Sequence, residues 1–402
     1  MPDTPAHWRL ETDADRVAWL TIDVQGAGAN TLGSEARLSF ALGADNNRFQ
    51  PLLHGEFKVE YFANKSLSGE PVHTENMASL QAFMIGEIGG GKVDPASFSL
   101  RITGAYTPTA SGLHRAGGFA TGPARLKAHG KVIADCWSSW APGQTFFEEG
   151  CNEATGDIQL EAGESVEVVL EYCTEKSATI AFTGFQAGLG KPSSIEDIRQ
   201  AAEVAAKADL AILCVGRSGE WDTEGWDLPD ITLPGQQAQL IEAVAAANPN
   251  TIVVLQTGGP VEMPWINKVS AVIQAWYPGQ EAGNAIADVL FGDAEPGGRL
   301  PQTFPVRFAD HPAFSQDPEI YPGLNGKVRY EEGLFIGHKH YDKLGIAPLF
   351  PFGFGLSYSS FDWSDLKVTA QGDDFIAEIS VTNTGARSGS DMVQIYVEDT
   401  DP

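Results

Sequence analysis

Between Leu210 and Phe291, short apolar runs alternate with helix-length segments, and this alternation restricts the fold more than any other feature of the chain. Leu210 to Val215, Thr251 to Gln256 and Ser270 to Ala275 are each long enough for a buried strand and too short for a helix. Before the first of them, Ser193 and Glu196 form an S-x-x-E capping box, and Ile195, Ile198, Ala202, Ala205 and Ala208 follow at helical spacing. Gln236 to Ala247 reads as a second helix, stopped by Asn248-Pro249, and Glu281 to Phe291 as a third. Strands alternating with helices across short loops predict a parallel sheet with right-handed crossovers.

In open α/β sheets, ligands gather outside the carboxyl ends of the strands. There the first run breaks at Gly216 into a loop holding Glu220, Asp222, Glu224 and Asp227, with Trp221 and Trp226 among them. Indole rings stack on sugar faces while carboxylates take hydroxyls, so the mixture suits a polyhydroxylated ligand; a merely solvated acidic loop is the alternative. Gly258-Gly259-Pro260 and Tyr277-Pro278-Gly279 fall at the same sheet edge. The chain holds no G-x-x-x-x-G-K-[ST], no G-x-G-x-x-G and no G-x-S-x-G, so neither a phosphate loop nor a serine-hydrolase elbow is expected.

The formal charge is −27, from 26 basic and 53 acidic residues, which argues against nucleic acid and anionic membranes as partners. Cys136, Cys151, Cys173 and Cys214 show no C-x-x-C spacing, so zinc and redox motifs are not expected, and free buried thiols are preferred to a Cys136–Cys151 disulfide. No cofactor and no metal are expected: His338 and His340 lie two apart, which would suit a metal pair on a strand, but without a third ligand they read as packing or solvated residues. No apolar run approaches the ~18 residues of a membrane helix, and no signal peptide opens the chain. The compartment is not readable.

From about Pro51 to Leu189 the texture is all-β. Phe57 to Phe62, Ser97 to Thr103, Ala124 to Ala128, Val166 to Tyr172 and Ala178 to Phe185 alternate between turn-rich stretches at the spacing of a sandwich. Ahead of it, HWRLETDADR reads as a charged turn, Val17 to Val24 as a strand, and the residues to Gly33 as a Gly-rich loop.

The phrases SGEWDTEG, LPGQQAQLIEAV, NPNTIVVLQTGGPVEMPW, QAWYPGQEAGNAIADVLFGDAEPGGRLPQTFP, VRYEEGLFIGHKHYD and PLFPFGFGLSYSSF together resemble the C-terminal sandwich domain of glycoside hydrolase family 3, of the β-glucosidase type. GEFKVEYFANKSLSGEP, FSLRITGAYTPTASGLHRAGG, ARLKAHGKVIAD and LEAGESVEVVLEY resemble the lectin-like β-sandwich of the anthrax protective antigen, which such enzymes carry as an insert. VTNTGARSGSDMVQIYV resembles the first strands of a fibronectin type III domain, and the segment to Gly33 resembles the opening strand of enoyl-CoA hydratases, from which no function is carried over. The expected organisation is an N-terminal segment over 1–50, a lectin-like β-sandwich over 51–190, a mostly parallel α/β sandwich over 191–358, and an incomplete fibronectin type III sandwich over 359–402.

The resemblance implies retaining hydrolysis of terminal β-D-glucosyl residues by two carboxyl groups about 5–5.5 Å apart. It places the acid/base on Glu220, ahead of Glu224, with Trp221 lining the aglycone side and Asp227 orienting the acid or capping the loop. The family's nucleophile is an Asp on an N-terminal (β/α)8 barrel that does not precede this domain here. The expected partners are therefore β-glucosides or short β-linked oligosaccharides, together with a barrel supplied in trans or a second copy of the chain. A carbohydrate-binding module without turnover is the alternative. The parallel sheet is expected to lack an edge strand or to borrow Val17 to Val24 for it. Arg329 and Tyr330 lie in a loop that the family uses near its site, although an ion pair of Arg329 with Glu331 or Glu332 explains the arginine as well. Phe350, Phe352, Phe354 and Tyr358 read as core and domain junction, and Met263-Pro264-Trp265 as a buried turn.

Overall fold

The computed structural model describes residues 49–175, 182–192, 194–223, 227–315, 317–321, 323–372 and 374–397, with the backbone of two strands nearer the start. Those two, β1 (Trp8–Thr12) and β2 (Ala18–Ile22), pair antiparallel with each other. The stretch read as a charged turn is thus partly a strand, because alternating WRLET pairs with AWLTI a few residues farther along the chain. Its partner is committed to that hairpin and is not borrowed by the parallel sheet. Ala36 to Leu42 and the Gly-rich loop lie outside the described residues.

Ten antiparallel strands follow: β3 (His54–Phe62), β4 (His73–Ser79), β5 (Gln81–Ile85), β6 (Ser99–Tyr106), β7 (Gly112–Ala120), β8 (Ala124–Ala128), β9 (Lys131–Asp135), β10 (Ala154–Leu160), β11 (Val166–Cys173) and β12 (Phe182–Gly190). They form a six-stranded sheet in the order β4-β3-β6-β11-β8-β9 and a four-stranded sheet in the order β10-β7-β12-β5. Alternation puts Phe57, Val59 and Tyr61 of β3, and Ala124, Leu126 and Ala128 of β8, into one core shared with Ala116 and Phe119 of β7 and Phe185 and Ala187 of β12. Gly104 of β6 is part of this packing: a Cβ there would lie 2.3 Å from the Phe57 ring. All four cysteines are free, three of them buried.

Facing away from that core, Glu171 of β11 is almost fully buried yet charged. Arg125 and Lys127 approach its carboxylate to 2.7 Å and Arg101 to 3.3 Å. Burial alone would raise its pKa, but hydrogen bonds and charge from Lys127 and Arg125 outweigh burial and hold it below the ordinary glutamate value. Arg125 in turn lies over the Trp137 ring, 4.8 Å from its centroid.

The α/β unit begins with α1 (Ile195–Ala205). Its capping box forms one residue later than expected: the Asp197 carboxylate accepts the Ser194 N–H at 2.8 Å and the Ser194 hydroxyl at 2.9 Å. Ser193 lies outside the described residues. Next come β13 (Ala211–Gly216), α2 (Gln237–Ala247), β14 (Thr251–Gln256), β15 (Ala271–Gln274) and α3 (Ala282–Phe291). The strands pair in parallel in the order β13-β14-β15. Their core is Val215, Ile241, Val253, Leu255, Val261, Met263, Trp265 and Phe304, so Met263 and Trp265 are buried on either side of an exposed Pro264.

His338 and His340 open a short helix, α4 (His338–Leu344), rather than a strand. His338 stacks on Phe352 with ring centroids 5.4 Å apart, and His340 packs edge-on to Tyr341. Among the described residues, no group of three or more His, Cys, Asp or Glu is placed to hold a metal ion. Phe350 stacks on Phe354 at 4.9 Å and packs against Phe304. The chain then forms the hairpin β16 (Phe361–Gln371) with β17 (Asp374–Asn383), on which Val368 and Phe375 remain exposed. No helix of the described residues is long and apolar enough to cross a membrane.

Two outcomes follow from these contacts. Gly104→Ala should destabilise the chain by about 1–3 kcal/mol and Phe57→Ala by about 3–5 kcal/mol. Combined, they should cost less than their sum, because the alanine methyl enters space the ring has left; strict additivity in urea melts would refute the packing. For Glu171, a depressed native pKa contributes stability that is present above the ordinary glutamate value and lost as pH falls through the native one. The Glu171→Gln variant should therefore show a shallower loss of stability on acidification than the parent, as read from melting temperatures between pH 7 and pH 3.

Candidate active site

The carboxyl end of β13 is fixed by groups that belong to neither strand. Gly216 admits the close approach of β14, since a Cβ there would lie 2.0 Å from the Gln256 carbonyl oxygen. On its other side, the Gln237 side chain of α2 takes the place of a neighbouring strand: its Oε1 accepts the Gly216 N–H at 2.7 Å, and its Nε2 donates to Gly216 O at 2.9 Å and Pro234 O at 3.1 Å. Arg217 N–H then donates to Gln256 O at 2.9 Å, so the ladder runs one residue past the strand before the loop leaves.

Arg217 is buried at this strand end, its side chain about 1% exposed. Its Nη2 donates to Thr232 O at 3.2 Å and Pro260 O at 3.4 Å, while Nη1 lies 3.7 Å from Asp222 Oδ1 without a hydrogen-bond partner. Burial pulls its pKa down, opposed by the charges of Asp222 and its neighbours. Beyond it the chain turns tightly: Trp221 N–H and Asp222 N–H both donate to Ser218 O, and Glu220 N–H to the Ser218 hydroxyl at 3.2 Å.

That turn directs Asp222 across the sheet edge. Its Oδ2 accepts the Gly258 N–H at 2.7 Å and the Tyr277 hydroxyl at 2.6 Å. Tyr277 follows Trp276, whose φ of +54° is left-handed and whose ring packs edge-on against Phe304. The three loops expected at one edge, after β13, β14 and β15, do meet there, and Asp222 joins them. Glu220 and Trp221 are half-buried in the same turn, and Asp227 is exposed farther along. Glu224 and Trp226 lie outside the described residues. Past Asp227, the loop is held by the Tyr321 hydroxyl, which donates to Leu228 O at 2.9 Å; burial, then the charge of Asp227, raises the Tyr321 pKa.

Arg329 is bound by Asp317, Glu319 and Glu331 at 2.7–2.9 Å, whereas Tyr330 is exposed. The supporting roles of Arg217, Gln237 and Tyr277 escaped the sequence reading. A charged residue directly after a buried strand was the available signal for the first; Tyr277 was expected at this edge but not as a partner of Asp222, and Gln237 acts through distant partners and carries no local signal.

Comparison with known proteins gives the site a context. The model of the glycosyl hydrolase family 3 C-terminal domain matches residues 122–358, more than half of the chain. The chain is 47% identical over 371 residues to a beta-glucosidase of Rhizobium radiobacter, covering 91% of this chain and 45% of that protein. It is 37% identical over 324 residues to a probable beta-glucosidase I of Aspergillus terreus, covering 76% and 38%. Among solved structures, it is similar to a beta-glucosidase from Kluyveromyces marxianus in complex with glucose, at 37% identity and a TM-score of 0.72, covering 83% of this chain and 39% of that one. The chain thus spans less than half the length of each of these relatives.

Replacing Gln237 with Leu would leave the Gly216 N–H and two carbonyls buried without partners. It should destabilise the chain by about 2–4 kcal/mol despite the apolar gain, whereas a loss near zero in thermal melts would mean that water takes over these bonds.

Proposed function

Because the chain belongs to glycosyl hydrolase family 3, we propose that it is the part of a β-glucosidase-type glycoside hydrolase that delivers the acid/base carboxyl. The observation that supports this is the tight turn at the carboxyl end of β13, in which Glu220 and Trp221 directly precede Asp222, the residue bonded to the loops after β14 and β15. Terminal β-D-glucosides and short β-linked oligosaccharides are the substrates. The similarity to a beta-glucosidase in complex with glucose supports that choice.

In retaining hydrolysis, one carboxylate attacks the anomeric carbon while a carboxyl group protonates the departing oxygen; the latter then takes a proton from the water that releases the sugar. Glu220 is assigned this second role, with Trp221 against the aglycone and Asp227 and Glu224 around it. Asp222 is committed to Gly258 and Tyr277 and is not the nucleophile. The nucleophile comes from outside these 402 residues, on a barrel in the same protein or in a partner. The two-sheet unit over 51–190 is read as the lectin-like insert, which contacts carbohydrate or shapes the neighbouring site, and the β16–β17 hairpin as the start of a fibronectin type III sandwich.

The test is release of nitrophenol from an aryl β-glucoside, with the chain alone and with the chain joined to the N-terminal portion of the Rhizobium relative. Turnover is expected from the joined protein, and Glu220→Gln should lower it by about 10²–10⁴-fold, more than Glu224→Gln. The reverse ranking would move the acid/base to Glu224. Glucose protection against thermal unfolding without turnover in either preparation would make the chain a binding module.

A further inference from the structure

The loop after β13 bears two candidate acids, Glu220 and Glu224, and Asp222 lies midway between them, two residues from each. Asp222 itself faces inward. Its side chain is only 13% exposed, Oδ2 takes two hydrogen bonds from separate loops, and Oδ1 looks at the buried guanidinium of Arg217. A carboxylate so engaged is unsuited to touching substrate, but it is well placed to hold what does.

We propose that Asp222 is a positioning residue: bound by the Gly258 N–H and the Tyr277 hydroxyl above Arg217, it fixes the acid/base loop so that its catalytic carboxyl reaches the departing oxygen. The inference rests on the reading of this loop as the carrier of the acid/base. Three features support it. The bonds are charge-assisted, the stronger class of hydrogen bond, and they cross between loops instead of closing a local turn. The Tyr277 donor is delivered by a bulky residue in left-handed backbone, Trp276, a conformation that persists only where the surroundings impose it. Arg217, buried and with Nη1 lacking a hydrogen bond, holds its charge 3.7 Å from Asp222 Oδ1. A tether two residues from the acid governs its placement, and misplacement of a reacting group by about 1 Å can cost about 10²-fold in rate.

The experiment compares Asp222→Asn and Tyr277→Phe with the parent, in the preparation joined to the N-terminal portion of the Rhizobium relative. The probes are 2,4-dinitrophenyl β-glucoside, whose leaving group departs without a proton, and 4-methylphenyl β-glucoside, whose leaving group needs one. If Asp222 positions the acid, kcat/KM for the methylphenyl substrate falls at least about 10-fold further than for the dinitrophenyl substrate. Equal losses on both would reduce Asp222 to a merely structural residue and overturn the proposal. In parallel, amide exchange of the 402-residue chain alone is followed at Gly258 and over 217–223. Asp222→Asn should speed exchange there at least about 10-fold while the amides of β14 stay protected. Unchanged exchange overturns the latch itself. Faster exchange together with a parent inert on both substrates would leave the latch standing but overturn the acid/base reading, and the positioning role with it.

Discussion

The site depends on how one strand ends. A parallel strand normally stops where its neighbours stop bonding it, yet at the end of β13 the ladder to β14 runs on through the Arg217 N–H, and on the opposite side the N–H and C=O of Gly216 are both bonded by the amide of Gln237. Full bonding makes the last residue of the strand as rigid as its middle, and the chain departs from a defined direction. Arg217, Ser218 and Asp222 inherit that direction: the first fills the space beneath the loop, the second accepts the turn's amides, and the third reaches across to β14 and β15. Without the Gln237 amide, two buried backbone groups of Gly216 would lack partners, and every later residue of the loop would lose its reference.

Much of this was legible in the sequence, for a simple physical reason. Apolar runs of strand length separated by amphipathic runs of helix length can bury themselves in few ways, so the parallel order and the meeting of three loops at one edge followed from spacing. The residue types around Glu220 suggested the chemistry proposed for the loop, and the long collinear phrases carried the family. What could not be read depends on partners remote in sequence. Gln237 resembles any residue of a helix's first turn until Gly216 is placed beside it. Asp222 stood among four acidic residues of one loop, and only the positions of Gly258 and Tyr277, 36 and 55 residues away, set it apart.

The corrections have equally local causes. The helix cap forms at Ser194, whose N–H and hydroxyl both donate to Asp197, while Glu196 is engaged by Arg199. The histidines at 338 and 340 needed no such correction as packing residues; only the strand that a metal pair would have required is replaced by a helix, where residues two apart point away from each other. The first strand does not complete the parallel sheet because an antiparallel neighbour lies only a few residues away, and local pairing costs less chain entropy than a distant one.

The free cysteines carry a further consequence. The ten-stranded unit buries Cys136, Cys151 and Cys173 as ordinary small apolar residues, the first two within a core of tightly fitted aromatic and aliphatic side chains. No covalent staple contributes to its stability. Packing alone holds it together, and the thiol–disulfide balance of the surroundings bears on it at one place, where the Cys136 and Cys151 thiols lie within hydrogen-bond reach of each other.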